Sequence, residues 1–270
     1  MNGRRNGYSK NYNNTGELVF EGEYYKGKKW NGKGKEYFMN SGKLTFEGEY
    51  KNGKRNGRAL DYSKQGDLIL EGEYVNGKIN GKVKEYNDGS IIFEGEYRNG
   101  YRWNGKSKYF MNDTLFEGEY KNGKRNGIIK NYFERTIVVF EGKLLNGERD
   151  GFGKERDKDG SLLFEGEYLN GKRWNGRGKE YFLKNLIFEG DYINGERNGK
   201  TKIYYYDGQL KFAGTYINGK INGKVKEYYK NGNLKFEGEY LNGKRNGKGK
   251  EYNDDGTCLF EAEYLNGEKK

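Results

Sequence analysis

From Leu234 onward every second residue is apolar or glycine (Leu234, Phe236, Gly238, Tyr240), and the residues between them, Lys235, Glu237 and Glu239, are charged. Successive side chains of a strand point to opposite faces, so this alternation predicts a strand with one aromatic and one charged face. The same frame recurs as Leu44, Phe46, Gly48, Tyr50 and as Leu162, Phe164, Gly166, Tyr168. Asn242-Gly243 follows, then Asn246-Gly247, then a second strand that ends at Tyr252. Asn and Gly accept the positive φ that tight hairpins demand, so both pairs are read as hairpin punctuation, with a looser Asp255-Gly256 turn leading onward. The glycine inside Phe-x-Gly-x-Tyr is expected to let a ring lie close over the backbone.

Phe-Glu-Gly-Glu-Tyr or a near relative starts at Phe20, Phe46, Leu70, Phe93, Phe116, Phe140, Phe164, Phe188, Phe212, Phe236 and Phe260, at spacings of 23 to 26 residues. A half copy over 1–19 precedes these starts and a terminal half copy fills 260–270, so 1–270 reads as one continuous array. A two-stranded hairpin is marginal alone, and each copy needs its neighbours to bury its aromatic face. The expected fold is all-β, an elongated antiparallel hairpin array.

Composition refines this picture. The chain has 45 Gly, no Pro and no His, with 32% apolar and 16% aromatic residues, so its core must be thin and built from Tyr and Phe. A charged fraction of 34% suggests disorder, but aromatics at fixed positions argue for a folded chain. The single cysteine, Cys258, excludes an intrachain disulfide and fits a reducing compartment. It stands where Leu186, Leu210 and Leu234 stand in other copies and reads as a small apolar filler. The opening MNGRRNGYSKNY has no apolar leader core, and no stretch approaches the length of a membrane span. A soluble cytoplasmic protein is expected, with a place at the membrane or cytoskeleton as the alternative.

FEGEYKNGKRNG, Phe116 to Gly127, followed by a strand ending in an aromatic, resembles the MORN repeat. NGKVKEYNDGS from Asn80 resembles its variant branch, some members of which are labelled antitoxins. Asn56, Asn126 and Asn246 depart from the family, where His is frequent. The resemblance implies a single-layer, twisted sheet curled into a groove, and a scaffold that self-associates, grips a partner helix or peptide, or meets phospholipid. It implies no enzyme, since catalytic members carry separate domains.

Short motifs add little chemistry. GYRWNGKS from Gly100 spells a P-loop, but its phosphate cradle requires a following helix, and KYFMNDTLFEGEY continues as strands. DKDGS from Asp157 hints at a calcium loop, yet Gly166 falls where the bidentate Glu is required. Glu47 and Glu49 recur in nearly every copy, whereas a catalytic pair needs a one-off setting. No catalytic residue, cofactor or metal is assigned.

The charges carry more. Glu on first strands and Lys on second strands (Lys82 and Lys84, Lys224 and Lys226, Lys248 and Lys250) predict acidic and basic rows that pair across the sheet. The net charge of +11 is diffuse, but Lys54, Arg55, Lys124, Arg125, Lys244 and Arg245 cluster near turns as a basic ridge for an anionic membrane surface. Nucleic acid is disfavoured, because the rings it would stack on are needed for the core. Trp30, Trp103 and Trp174 are each the extra residue of a lengthened turn and either protrude as interface anchors or fold back over the edge. The sixth copy (Leu144, GFGKERDKD) and the ninth (Ala213, Thr215) break the pattern and are read as drift or as a local partner site. The half copies at either end suggest end-to-end self-association between chains. The expected function is a non-enzymatic scaffold holding a protein segment in an aromatic groove floored by Tyr50, Tyr74, Tyr97, Tyr168, Tyr192 and Tyr240. A peripheral membrane adaptor and an inhibitor of a partner toxin are the alternatives.

Overall fold

The structure, a computed structural model, describes residues 4–39 and 41–270. Its contacts gather into two units, Met1–Gly127 and Ile128–Lys270. The first holds β1 (Gly7–Tyr12), β2 (Leu18–Tyr25), β3 (Lys28–Tyr37), β4 (Leu44–Lys51), β5 (Lys54–Tyr62), β6 (Leu68–Val75), β7 (Lys78–Asn87), β8 (Ser90–Arg98), β9 (Tyr101–Met111) and β10 (Thr114–Lys121). The chain passes the unit boundary in β11 (Lys124–Phe133). The second holds β12 (Ile137–Leu145), β13 (Glu148–Arg156), β14 (Leu162–Leu169), β15 (Lys172–Phe182), β16 (Asn185–Ile193), β17 (Glu196–Tyr204), β18 (Leu210–Ile217), β19 (Lys220–Tyr228), β20 (Leu234–Leu241), β21 (Lys244–Tyr252), β22 (Cys258–Leu265) and β23 (Glu268–Lys269). Among the described residues there is no helix.

From β1 to β10 each strand pairs antiparallel with the next in sequence. The same holds from β12 to β23. Each unit is therefore an open antiparallel meander, as the alternation predicts, and a single layer, as the MORN resemblance implies.

From the second full copy on, the first Asn-Gly is a tight hairpin turn, and Lys26-Gly27 holds that place in the first. Asn52 and Gly53, at φ 52° and 75°, join β4 to β5 with both central residues in the left-handed region, the geometry that matches strand twist. The second pair is no turn: Asn56 and Gly57 lie inside β5, and Asn246 and Gly247 inside β21. The asparagine side chain instead reaches the next hairpin, where Asn56 Oδ1 accepts the Asn76 backbone N–H at 3.3 Å and Asn222 Oδ1 that of Asn242 at 3.0 Å. The backbone carbonyl one residue earlier accepts from the turn glycine, as Arg55 O does from Gly77 N at 2.8 Å. Within each unit these turns are thus held by the copy before them.

One face of each sheet carries the core. Phe20, Phe46, Phe93, Phe116, Phe164 and Phe236 are fully buried. The Phe46 ring lies over its own strand, so that a Cβ on Gly48 would sit 2.7 Å from Phe46 Cζ, which is why that position is glycine. Tyrosines stand edge-on between successive phenylalanines: Tyr50 meets Phe20 and Phe46 at 5.9 and 5.8 Å, and Tyr168 meets Phe140 and Phe164 at 5.5 and 5.2 Å. Such pairs contribute about 0.5–1.5 kcal/mol each beyond their buried area.

Candidate functional site

The six tyrosines read as a groove floor belong to this covered face. Their hydroxyls donate to carboxylates that end the preceding second strand: Tyr50 to Glu36 at 2.5 Å, Tyr74 to Asp61 at 2.6 Å, Tyr97 to Glu85, Tyr168 to Glu155 at 2.9 Å, Tyr192 to Glu180 at 2.8 Å and Tyr240 to Glu227 at 2.5 Å. A guanidinium closes each assembly from above. Arg55 lies 3.9 Å over the Phe46 ring and bonds Glu36 and Asp61; Arg245 lies 3.9 Å over Phe236 and bonds Glu227 and Glu251. Arg102, Arg149, Arg173 and Arg197 repeat the arrangement over Phe93, Phe140, Phe164 and Phe188. The planar guanidinium suits both tasks, stacking on a ring and forking onto a carboxylate.

Burial and these bonds shift the titrations. Burial, reinforced by the Glu227 bond, pushes the Tyr240 hydroxyl up to about 12. Burial raises Asp61 against the opposing pull of Tyr74 and Arg55. Lys29, which takes the arginine's place in the first full copy, is lowered by burial, and its ammonium donates to the Lys35 carbonyl at 3.0 Å.

The basic ridge expected near the turns therefore divides. Arg55 and Arg245 are lids on the core with their charge already satisfied, and Arg125 lies 5.8 Å over Phe116, whereas Lys54, Lys124 and Lys244 are exposed at the turns. The tryptophans fold back: the Trp30, Trp103 and Trp174 rings lie against the turn glycines Gly53, Gly123 and Gly195 of the following hairpin, and Trp103 also under Arg98 at 5.1 Å. They cover the edge rather than protrude.

The open surface is the opposite, Glu/Lys face. In the first unit it bounds a groove of about 1200 Å³ over β2 to β8, into which most strands send a charged pair, such as Glu47 and Glu49, Lys33 and Lys35, Glu71 and Glu73, or Lys82 and Lys84, while β2 and β5 send one charge each, Glu21 and Arg58. None of the six tyrosines lines it. Seven carboxylates and five cations line it, so the groove does not share the chain's positive balance and does not favour an anion. The inner Lys of one strand pairs with the first Glu of the next: Lys35–Glu47 at 3.6 Å, Lys84–Glu94 at 3.5 Å, Lys154–Glu165 at 2.8 Å and Lys250–Glu261 at 3.3 Å. These are the paired rows that the sequence implies.

A second surface is the edge formed by the tight turns. In the first unit the residues in and beside the five turns include Lys26, Lys28, Lys51, Lys54, Lys78, Arg98, Lys121 and Lys124 and no carboxylate. In the second unit the position before each turn is aliphatic and about half exposed: Leu145, Leu169, Ile193, Ile217, Leu241 and Leu265. Sequence reading missed this row, although the residue before each Asn-Gly carries it.

The short motifs have local roles. The P-loop spelling spans a hairpin turn and β9, and Ser107 is buried with its hydroxyl donating to the Ile92 carbonyl at 2.8 Å. DKDGS is a linker turn in which Asp157 Oδ1 accepts the N–H groups of Asp159 and Ser161 at 2.9 and 2.8 Å. In the sixth copy Leu144 is buried in the tyrosine's place. In the ninth copy Ala213 faces Lys202 and Lys226, and Lys226 pairs with Glu237 instead. No helix among the described residues is long and apolar enough to cross a membrane.

A meander of like hairpins, each completing its neighbour's core and pinning its neighbour's turn, defines a β-hairpin repeat protein. The MORN repeat model matches residues 46–59, 71–90, 116–128, 140–162 and 236–258, and the MORN repeat variant model matches 197–218 and 221–242. The chain is a MORN-repeat protein. None of the curated proteins matches it. MORN repeats are generally protein- or membrane-binding scaffold repeats, and proteins built of them are typically non-enzymatic.

Proposed function

We propose that the chain is a non-enzymatic scaffold that holds a segment of a partner protein against its Glu/Lys face. The observation that carries this reading is the contrast between the faces: the aromatic one is closed by arginine, tyrosine and glutamate, while the charged one bounds an open groove of about 1200 Å³. Binding sites are concave, and a groove of this size accommodates several side chains of a peptide or helix. The test is affinity capture from the native cell, followed by rebinding of the purified partner. Glu49→Lys/Glu73→Lys/Glu96→Lys should abolish rebinding, and Tyr50→Phe should leave it intact. The opposite result would return the site to the aromatic face.

A second reading is a peripheral adaptor on an anionic membrane, supported by the eight cations and no carboxylate along the first unit's turn edge. Basic residues at such a surface contribute about 1 kcal/mol each and are screened by salt. Co-sedimentation with phosphatidylserine vesicles should then fall with salt and with Lys51→Ser/Lys54→Ser/Lys121→Ser/Lys124→Ser. Vesicle binding unchanged by either would remove this reading.

A further inference from the structure

On the Glu/Lys face, second strands carry a cation just before the small residue that packs on the core, as in Lys33, Arg58 and Lys82 or Arg177, Lys224 and Lys248. First strands carry a carboxylate just after their inner glycine, as in Glu49, Glu73, Glu167 and Glu239. At the start of the second unit this order is inverted. Ile128 and Phe152 replace two successive cations, and Lys143 replaces the carboxylate between them. In a regular copy Lys35 faces Glu47 and Lys33 faces Glu49; with Lys130 bound to Glu141 at 3.1 Å, the same register sets Ile128 opposite Lys143. β12 bulges between Gly142 and Leu144, and Lys143 lies against Gly151, next to Phe152. Ile128 and Phe152 are 46% and 54% exposed, well beyond what an apolar side chain in a stable core shows. Lys143 is exposed and, among the described residues, forms no ion pair. Leu145, 51% exposed and two residues on along the same face of β12, extends the patch toward the turn edge.

We infer that Ile128, Lys143 and Phe152 form a docking site for an acidic amphipathic helix of the partner protein. Strand spacing puts Ile128 and Phe152 about 10 Å apart with Lys143 midway. One face of a helix offers the same ruler, with positions i, i+4 and i+7 separated by about 5–6 Å per step and about 10.5 Å end to end. An extended segment does not fit, because its same-face residues fall about 6.6 Å apart and reach about 13 Å over two steps. The occupant therefore carries an Asp or Glu between two large apolar residues: the carboxylate meets Lys143, and the apolar side chains cover Ile128 and Phe152. This site rests on the scaffold reading and adds, in the second unit, a contact for a segment of the partner other than the one held in the first unit's groove.

The test is selection from a display library of 16-residue helical peptides, run on the full chain and on Ile128→Lys/Lys143→Glu/Phe152→Lys. That triple variant restores the residue types the other copies carry, so it should keep the fold, checked by its thermal transition. Peptides enriched on the natural chain should place an acidic residue three or four positions from an apolar residue on each side. They should bind the variant about tenfold more weakly or worse. A Glu→Lys change in such a peptide should restore binding to Lys143→Glu. Enrichment without this pattern, or equal affinity for the triple variant, overturns the site. If the enriched peptides instead lose binding to Glu49→Lys/Glu73→Lys/Glu96→Lys alone, the scaffold reading survives and this inference does not. A selection that enriches nothing on either chain counts against both.

Discussion

The two faces of the sheet use the same charges to opposite ends. On the aromatic face Arg102 meets Glu85 at 2.7 Å with the side chains 16% and 15% exposed, stacked over Phe93. On the other face Lys84 meets Glu94 at 3.5 Å with 44% and 58% exposed. A cation becomes part of a core when a ring lies beneath it and two acceptors surround it, and stays a solvated partner otherwise. The difference also explains how a chain with 32% apolar residues holds a fold: its lids are made of charged side chains with apolar stems.

Truncating the ring should break the comparison hardest. Phe46→Ala or Phe236→Ala removes a fully buried side chain and is expected to cost about 3–5 kcal/mol in urea unfolding, with loss of the neighbouring tyrosine's packing. Removing a lid should come next. Arg245→Ala leaves Glu227 and Glu251 short of a charged donor and is expected to cost about 1.5–3 kcal/mol by the same measurement. A change that touches neither face calibrates the scale: Leu183 and Lys184 hold a two-residue linker turn at φ 47° and 72°, so Leu183→Asn/Lys184→Gly should stabilise by about 1–2 kcal/mol. A double-mutant cycle on Lys84 and Glu94 should give only about 0.2–1 kcal/mol and fade in high salt.

The last contrast appears only in alkali. The Tyr240 proton is held to about 12 in the fold, above the ordinary tyrosine value of 10.0, so its stabilising share is complete below pH 10 and is lost as pH rises toward 12. Urea midpoints measured from pH 8.5 to 11.5 should fall less steeply in Tyr240→Phe than in the natural chain. Equal slopes would mean that this hydroxyl is not held by burial and Glu227.

The two-strand unit, its alternation and the ring over Gly48 were legible because a period of two and a glycine at a fixed place follow directly from strand geometry. Which face stays open was not legible. Alternation separates Tyr50 from Glu49 but says nothing about what lies above either, and the lid over Phe46 comes from Arg55 on the next strand and Glu36 on the previous one. The second Asn-Gly was misread for a similar reason: composition marks Asn56-Gly57 as a turn, while its asparagine acts twenty residues away on Asn76. The docking row at Ile128, Lys143 and Phe152 needed strand register, since its members are 15 and 9 residues apart in the chain.

The asparagine that reaches one hairpin ahead bears on how such a chain can grow or shrink. Because the joints within each unit consist of a donor in one module and an acceptor in the module before it, a whole module can be gained or lost there and the new junction finds the same two groups waiting. Loss of half a module would leave both without a mate, so changes in length should come in steps of about two dozen codons.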